Sequence, residues 1–150
     1  MTSNATLPWD NMFGGGLGYL LTLARNQNLA AIERELAPLN ITASQFMVVV
    51  GIAHGRAKTL TEFSEFLGYD SGAMKRLLDR VEEKGMIRRV RSVADRRSQI
   101  LELTESGHVL YPQIMDVVRR VHAHMLEGFT DEEAALFQTF LQKIIAASKP

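Results

Sequence analysis

Residues 70–103 read DSGAMKRLLDRVEEKGMIRRVRSVADRRSQILEL. Asp70 is a residue type that caps helices, and behind it Ala73, Leu77, Leu78 and Val81 recur at helical spacing. The pattern predicts an amphipathic helix with those four residues inside. Ser71 and Gly72 lie in its first turn, Met74, Lys75 and Arg76 fall near its exposed face, and Arg80 follows one turn on. Gly85 stands just past Lys84, where a left-handed residue closes a helix. Met86 to Val90 and Ser98 to Leu103 then read as two strands, joined by a segment whose tip carries Asp95, Arg96 and Arg97.

Just upstream, Thr59 with Glu62 forms a capping box that opens a short helix through Leu60, Phe63, Phe66 and Leu67. Gly68-Tyr69-Asp70 turns the chain into the helix described above. Helix, three-residue turn, second helix and arginine-tipped ribbon make a winged helix-turn-helix. Double-stranded DNA is therefore the first partner to consider.

Charge supports this only when mapped locally. The whole chain carries 17 basic and 17 acidic residues. Residues 75–97 hold nine cations (Lys75, Arg76, Arg80, Lys84, Arg88, Arg89, Arg91, Arg96, Arg97) against Asp79, Glu82, Glu83 and Asp95. Nine minus four is +5, leaving −5 elsewhere. A basic face on an acidic body binds a polyanion in a fixed orientation. A solvated helix face is the bland alternative; the hairpin beside it tips the reading toward DNA.

The rest of the chain reads as mainly helical. Residues 1–12 look like a flexible arm, and Leu17, Leu20, Leu21, Ala24, Ile32 and Leu36 mark a helix that stops before Pro38. Thr42 with Gln45 caps a helix through Phe46, Val49, Val50 and Ala53, although Val48 to Val50 also suit a buried strand. Thr104 caps a long helix carrying Val109, Ile114, Val117, Val118, Val121 and Met125; Thr130 with Glu133 opens the last. With no cysteine, the chain has no disulfide, thiolate zinc site or thiol switch. The longest apolar run, residues 46–53, is too short to span a bilayer, so no membrane is expected and the cytoplasm is the simplest location.

Four motifs carry a family resemblance: Ile41-Thr42-Ala43-Ser44-Gln45-Phe46, Leu77-Leu78-Asp79-Arg80-Val81-Glu82-Glu83-Lys84-Gly85, Asp95-Arg96-Arg97-Ser98 and Leu103-Thr104-Glu105-Ser106-Gly107. In this order the chain resembles the MarR family of bacterial transcription regulators from about residue 17 to 147. The family's proline between the two arms of the wing is absent; Ser92-Val93-Ala94 stands there instead. The resemblance implies a DNA-binding region at residues 41–103 and dimerisation helices at 13–37 and 104–147, in one integrated domain. Surplus apolar residues at Phe129, Phe137, Phe140, Ile144 and Ile145 agree with a homodimer, which would bind a pseudo-palindromic operator.

Free amides at the helix start, with Ser71, suit a phosphate, and Gly72 admits a close DNA backbone. Lys75 or Arg76 is placed to read guanine, Arg80 to hold phosphate, and Lys84 and Arg88 to tune the field. Asp95 and Arg97, two apart on a tight tip that ends at Ser98, can pair and fix the guanidinium. The resemblance makes Arg97 the residue that enters the minor groove, with Arg96 on phosphate.

The resemblance also implies release by a small aromatic or organic-acid effector, with no cofactor required. Phe13, Tyr19, Arg25, Phe46, Val50, His54, Tyr111 and Met115 are the candidate pocket residues. His54 can equally close its helix. His122 and His124, two apart on a helix, face different ways and make a poor metal pair. The glycine run at 14–18 follows no strand, and no catalytic constellation is present, so no enzyme is expected. The competing function is a winged-helix module that binds protein; steep salt dependence of binding separates the two.

Overall fold

The computed structural model describes residues 15–95 and 98–148. The arm at 1–12, Phe13, Arg96 and Arg97 lie outside them. Six helices and one hairpin follow in order: α1 (Leu17–Leu36), α2 (Ala43–Ala53), α3 (Leu60–Leu67), α4 (Ser71–Glu83), β1 (Ile87–Arg91), β2 (Gln99–Leu103), α5 (Glu105–Met125) and α6 (Asp131–Ala147).

Local signals set nearly every boundary. Thr42 and Gln45 exchange both bonds of a capping box, as do Thr130 and Glu133, so residues 48–50 are helical and not strand. The box expected at Thr59 is only half made. Thr59 accepts from the Glu62 amide at 3.2 Å, but Glu62 turns its carboxylate to the amide of Lys58. Gly68 and Gly85 close α3 and α4 with φ of 70° and 74°.

The core runs from Ile32 and Leu36 of α1 through Phe46, Val48 and Val49 of α2 and Phe63 of α3 to Ile114 and Val117 of α5. The inner stripe of α4 is Met74, Leu77, Leu78 and Val81. This corrects the expected stripe, which had Ala73 inside and Met74 near the exposed face. Met74 is fully buried and Ala73 only half so. Either residue lies a turn before Leu77 and Leu78, and the longer side chain fills the core.

β1 and β2 pair antiparallel, with Arg88 opposite Glu102 and Val90 opposite Ile100, each strand starting one residue later than the sequence pattern suggests. Lys84 does more than shape the field. Its ammonium donates to the Asn40 carbonyl and, at 2.8 Å, to the buried Gln45 Oε1, tying the end of α4 to the start of α2. Pro112 lies inside α5 and leaves the His108 carbonyl without its helical donor. The next buried residue of that helix is Ile114.

α6 buries none of its residues. Leu136, Phe137, Phe140 and Ile145 are exposed along it, as are Leu17, Tyr19, Leu20 and Leu23 on α1. Among the described residues no single helix is long and apolar enough to cross a membrane.

Candidate nucleic-acid interface

The exposed side of α4 presents Ser71, Gly72, Lys75, Arg76 and Arg80, with no large apolar side chain among them. Buried Met74 cannot reach a groove and drops out of the expected contact set. Arg76 and Arg80, one turn apart, have no side-chain hydrogen bond or ion pair with the described residues, so their guanidinium donors face solvent. Gly72 lies beside the Arg76 guanidinium and the Asp70 carboxylate; an added Cβ would stand 3.5 Å and 3.2 Å from them.

The start of α4 differs from the expected phosphate seat. Asp70 accepts from the Ala73 amide at 2.9 Å, so that donor is already occupied. This bond, with help from the Gly72 amide and the nearby Arg76 charge, holds the Asp70 carboxyl below its usual value. An ionised carboxylate at the helix start repels phosphate, and the Ser71 hydroxyl is left as the neutral donor beside it.

Several of the nine cations already have partners. Lys75 donates to Asp79 at 2.7 Å, Arg88 meets Glu102 across the hairpin at 3.0 Å, and half-buried Arg89 spans Asp79 and Glu82. The Lys75 bond first, and then that of Arg89, lowers the Asp79 pKa. Sequence reading passes over Asp79, Glu82 and Arg89 as a group; only the four-residue step from Lys75 to Asp79 signals it in advance. At the wing tip, the Asp95 carbonyl accepts from both the amide and the hydroxyl of Ser98, at 3.0 Å and 3.1 Å, and the Asp95 amide donates to Ser92.

The expected pocket residues divide. Arg25 and Phe46 line a cavity of about 420 Å³ between α1, α2 and α5, together with Asn28, Ser44, Met47, Tyr69 and His122, none of them among the expected pocket residues. His54 and Tyr111 instead join each other, Nε2 to Oη at 2.7 Å, which links the end of α2 to α5. Tyr19 lies on the exposed apolar side of α1, and Val50 and Met115 are half-buried outside this cavity. A second, wider groove of about 800 Å³ lies between α1, α5 and α6 and shares Arg25, Asn28 and His122 with the first. Among the described residues no group of three or more histidines and carboxylates is placed to hold a metal ion.

The MarR family model matches residues 41–99, from the α2 cap to the start of β2. The chain is 30% identical over 130 residues to the multiple antibiotic resistance protein MarR of Escherichia coli (strain K12), covering 86% of this chain and 90% of that one. The chain belongs to the MarR family. A crystal structure of a MarR mutant from Escherichia coli complexed with operator DNA matches with a TM-score of 0.76 at 30% identity, over 85% of this chain and 92% of that one. A MarR transcriptional regulator from Methanosarcina mazei Go1 matches with a TM-score of 0.80 over 87% and 94%; at 21% identity it shows the shared fold alone. The helix-turn-helix and wing of this chain are thus those of a MarR-family regulator.

Proposed function

We propose that this chain is a homodimeric transcription regulator that binds a pseudo-palindromic operator and represses until a small organic acid releases it. The observation that carries the reading is the exposed cationic side of α4, where Arg76 and Arg80 have no side-chain hydrogen bond or salt bridge with another side chain among the described residues; Arg96 and Arg97 follow between the two strands in sequence. Lys75 and Arg76 read bases in the major groove, Arg80 and Arg96 hold phosphate, Arg97 enters the minor groove, and Asp95 and Ser98 shape the tip. Residues 13–37 and 104–147 join the two copies, and residues 41–103 meet DNA. A protein-binding face would be more apolar than this one. A regulator of chromosomal DNA works in the cytoplasm.

Selection from fragmented genomic DNA at two salt concentrations tests the function. An enriched inverted repeat that fades at high salt is expected, because phosphate contacts release counterions. Arg97→Ala lowers affinity for that repeat by about tenfold, and Arg76→Ala also relaxes base preference at one pair in each half-site. Helical content and dimerisation stay unchanged in both. Wild-type binding by both variants would remove this interface.

The 420 Å³ cavity is the effector site in this reading. Arg25 and His122 supply positive or hydrogen-bonding groups, Phe46 and Met47 supply flat apolar walls, and Asn28 presents a buried Oδ1 without a partner among the described residues. Benzoate is a suitable first probe. It is expected to release the operator from the wild-type chain, with about tenfold more needed for Arg25→Ala. Equal sensitivity of the two would exclude Arg25 from the site.

A further inference from the structure

Two carboxylates and two cations tie α4 to the first strand of the wing. Asp79 gives one oxygen to each partner: Oδ2 accepts from Lys75 Nζ at 2.7 Å and Oδ1 from Arg89 Nη2 at 2.6 Å. The other amino group of Arg89 meets Glu82, and the Glu82 Oε1 also accepts the Arg89 amide at 3.1 Å. Lys75 is 67% exposed and Arg89 only 23%.

An isolated exposed pair of this kind is weak and easily screened. This one is not isolated. Arg89 is half-buried, held by two carboxylates and by its own backbone, and so gives the Asp79 carboxylate one orientation before DNA arrives. The ammonium of Lys75 inherits that orientation on the exposed side of α4. We propose that Asp79 is a positioning residue for base readout, presetting Lys75 while fixing α4 against the wing through Arg89. The assignment rests on the operator-binding function proposed above.

Two consequences distinguish this role from simple support of the fold. A preset side chain loses less freedom on binding, which favours the correct base. A carboxylate 2.7 Å from the base-reading ammonium disfavours phosphate wherever the base contact is not made, which weakens binding to unrelated DNA. Asp79 therefore raises discrimination at the expense of general affinity.

The test is selection from a random duplex library with the full-length wild type, Asp79→Asn, Lys75→Met and the double variant, with affinity for an unrelated duplex measured alongside. Lys75→Met is expected to lose base preference at a pair or two in each half-site. Asp79→Asn loses about tenfold at the same pairs while binding unrelated DNA more tightly. The double variant is no worse than Lys75→Met alone. Asp79→Glu keeps the charge but displaces the ammonium, and it shows the same loss at the same pairs. Wild-type preference in Asp79→Asn or in Asp79→Glu overturns the role, as do losses that multiply in the double variant. No motif from the wild type overturns operator reading itself, and this role falls with it.

Discussion

Replacing Phe137 and Phe140 together by glutamate is expected to leave a folded monomer that binds its operator at least a hundredfold more weakly. Neither ring is buried in its own chain. Phe137 is 44% exposed and touches Phe129 with ring centres 6.0 Å apart, and Phe140 is 53% exposed with Lys143 over its face. Covering the exposed half of both rings on both copies, four rings in a two-fold dimer, contributes about 3–6 kcal/mol, or roughly 10²–10⁴ in the dimer dissociation constant. The buried carboxylates oppose association further. A monomer grips one half-site only and loses the gain from simultaneous engagement. Sedimentation equilibrium and an operator titration read the two effects, and helical content by circular dichroism stays at the wild-type value. A dimer with undiminished affinity would remove α6 from the interface.

The second large effect is on stability. Gly107→Ala is expected to cost about 3 kcal/mol and to lower Tm by roughly 6–12 °C. In an open helix the same change would stabilise by nearly 1 kcal/mol, so the sign alone decides. Here the added Cβ would lie 2.1 Å from the Met86 carbonyl oxygen, a backbone atom that cannot rotate away. That oxygen also accepts the Thr104 amide at 3.1 Å, and Thr104 in turn caps the Gly107 amide at 3.0 Å. Making room for one methyl group pushes the first turn of α5 off the hairpin and loosens both bonds. A thermal melt that rises instead would show that α5 does not sit this close.

The way these two sites could or could not be foreseen follows from the range of the interactions. Caps, glycine stops and the hairpin were legible because each is decided within a few residues; Thr42 with Gln45 and Asp70 with Ala73 need no tertiary context. Gly107 was visible as part of a motif, but its reason was not, since the obstacle comes from Met86 twenty-one positions away. The burial of Met74 was missed for a local reason: Ala73 and Met74 both continue a stripe through Leu77, and only the cavity to be filled chooses between them. The Asp79–Arg89 tie joins residues ten apart across a helix end and a glycine turn, a spacing with no period. The pocket residues scattered because aromatic and basic types on helices do not reveal which inter-helix gap they face. Arg25 and Phe46 share one cavity, whereas His54 found Tyr111.

Pro112 removes one backbone hydrogen bond from the long helix, so in the dimer arrangement proposed above the helix can bend between its hairpin end and its dimerisation end. In a two-fold assembly such a joint is repeated, and small bends at each add up as a change in the distance between the two reading heads. The spacer between half-sites is then not a rigid ruler. Operators whose halves are set one base pair closer or farther apart should compete on nearly equal terms, and replacing Pro112 by alanine should narrow the accepted spacing to a single length.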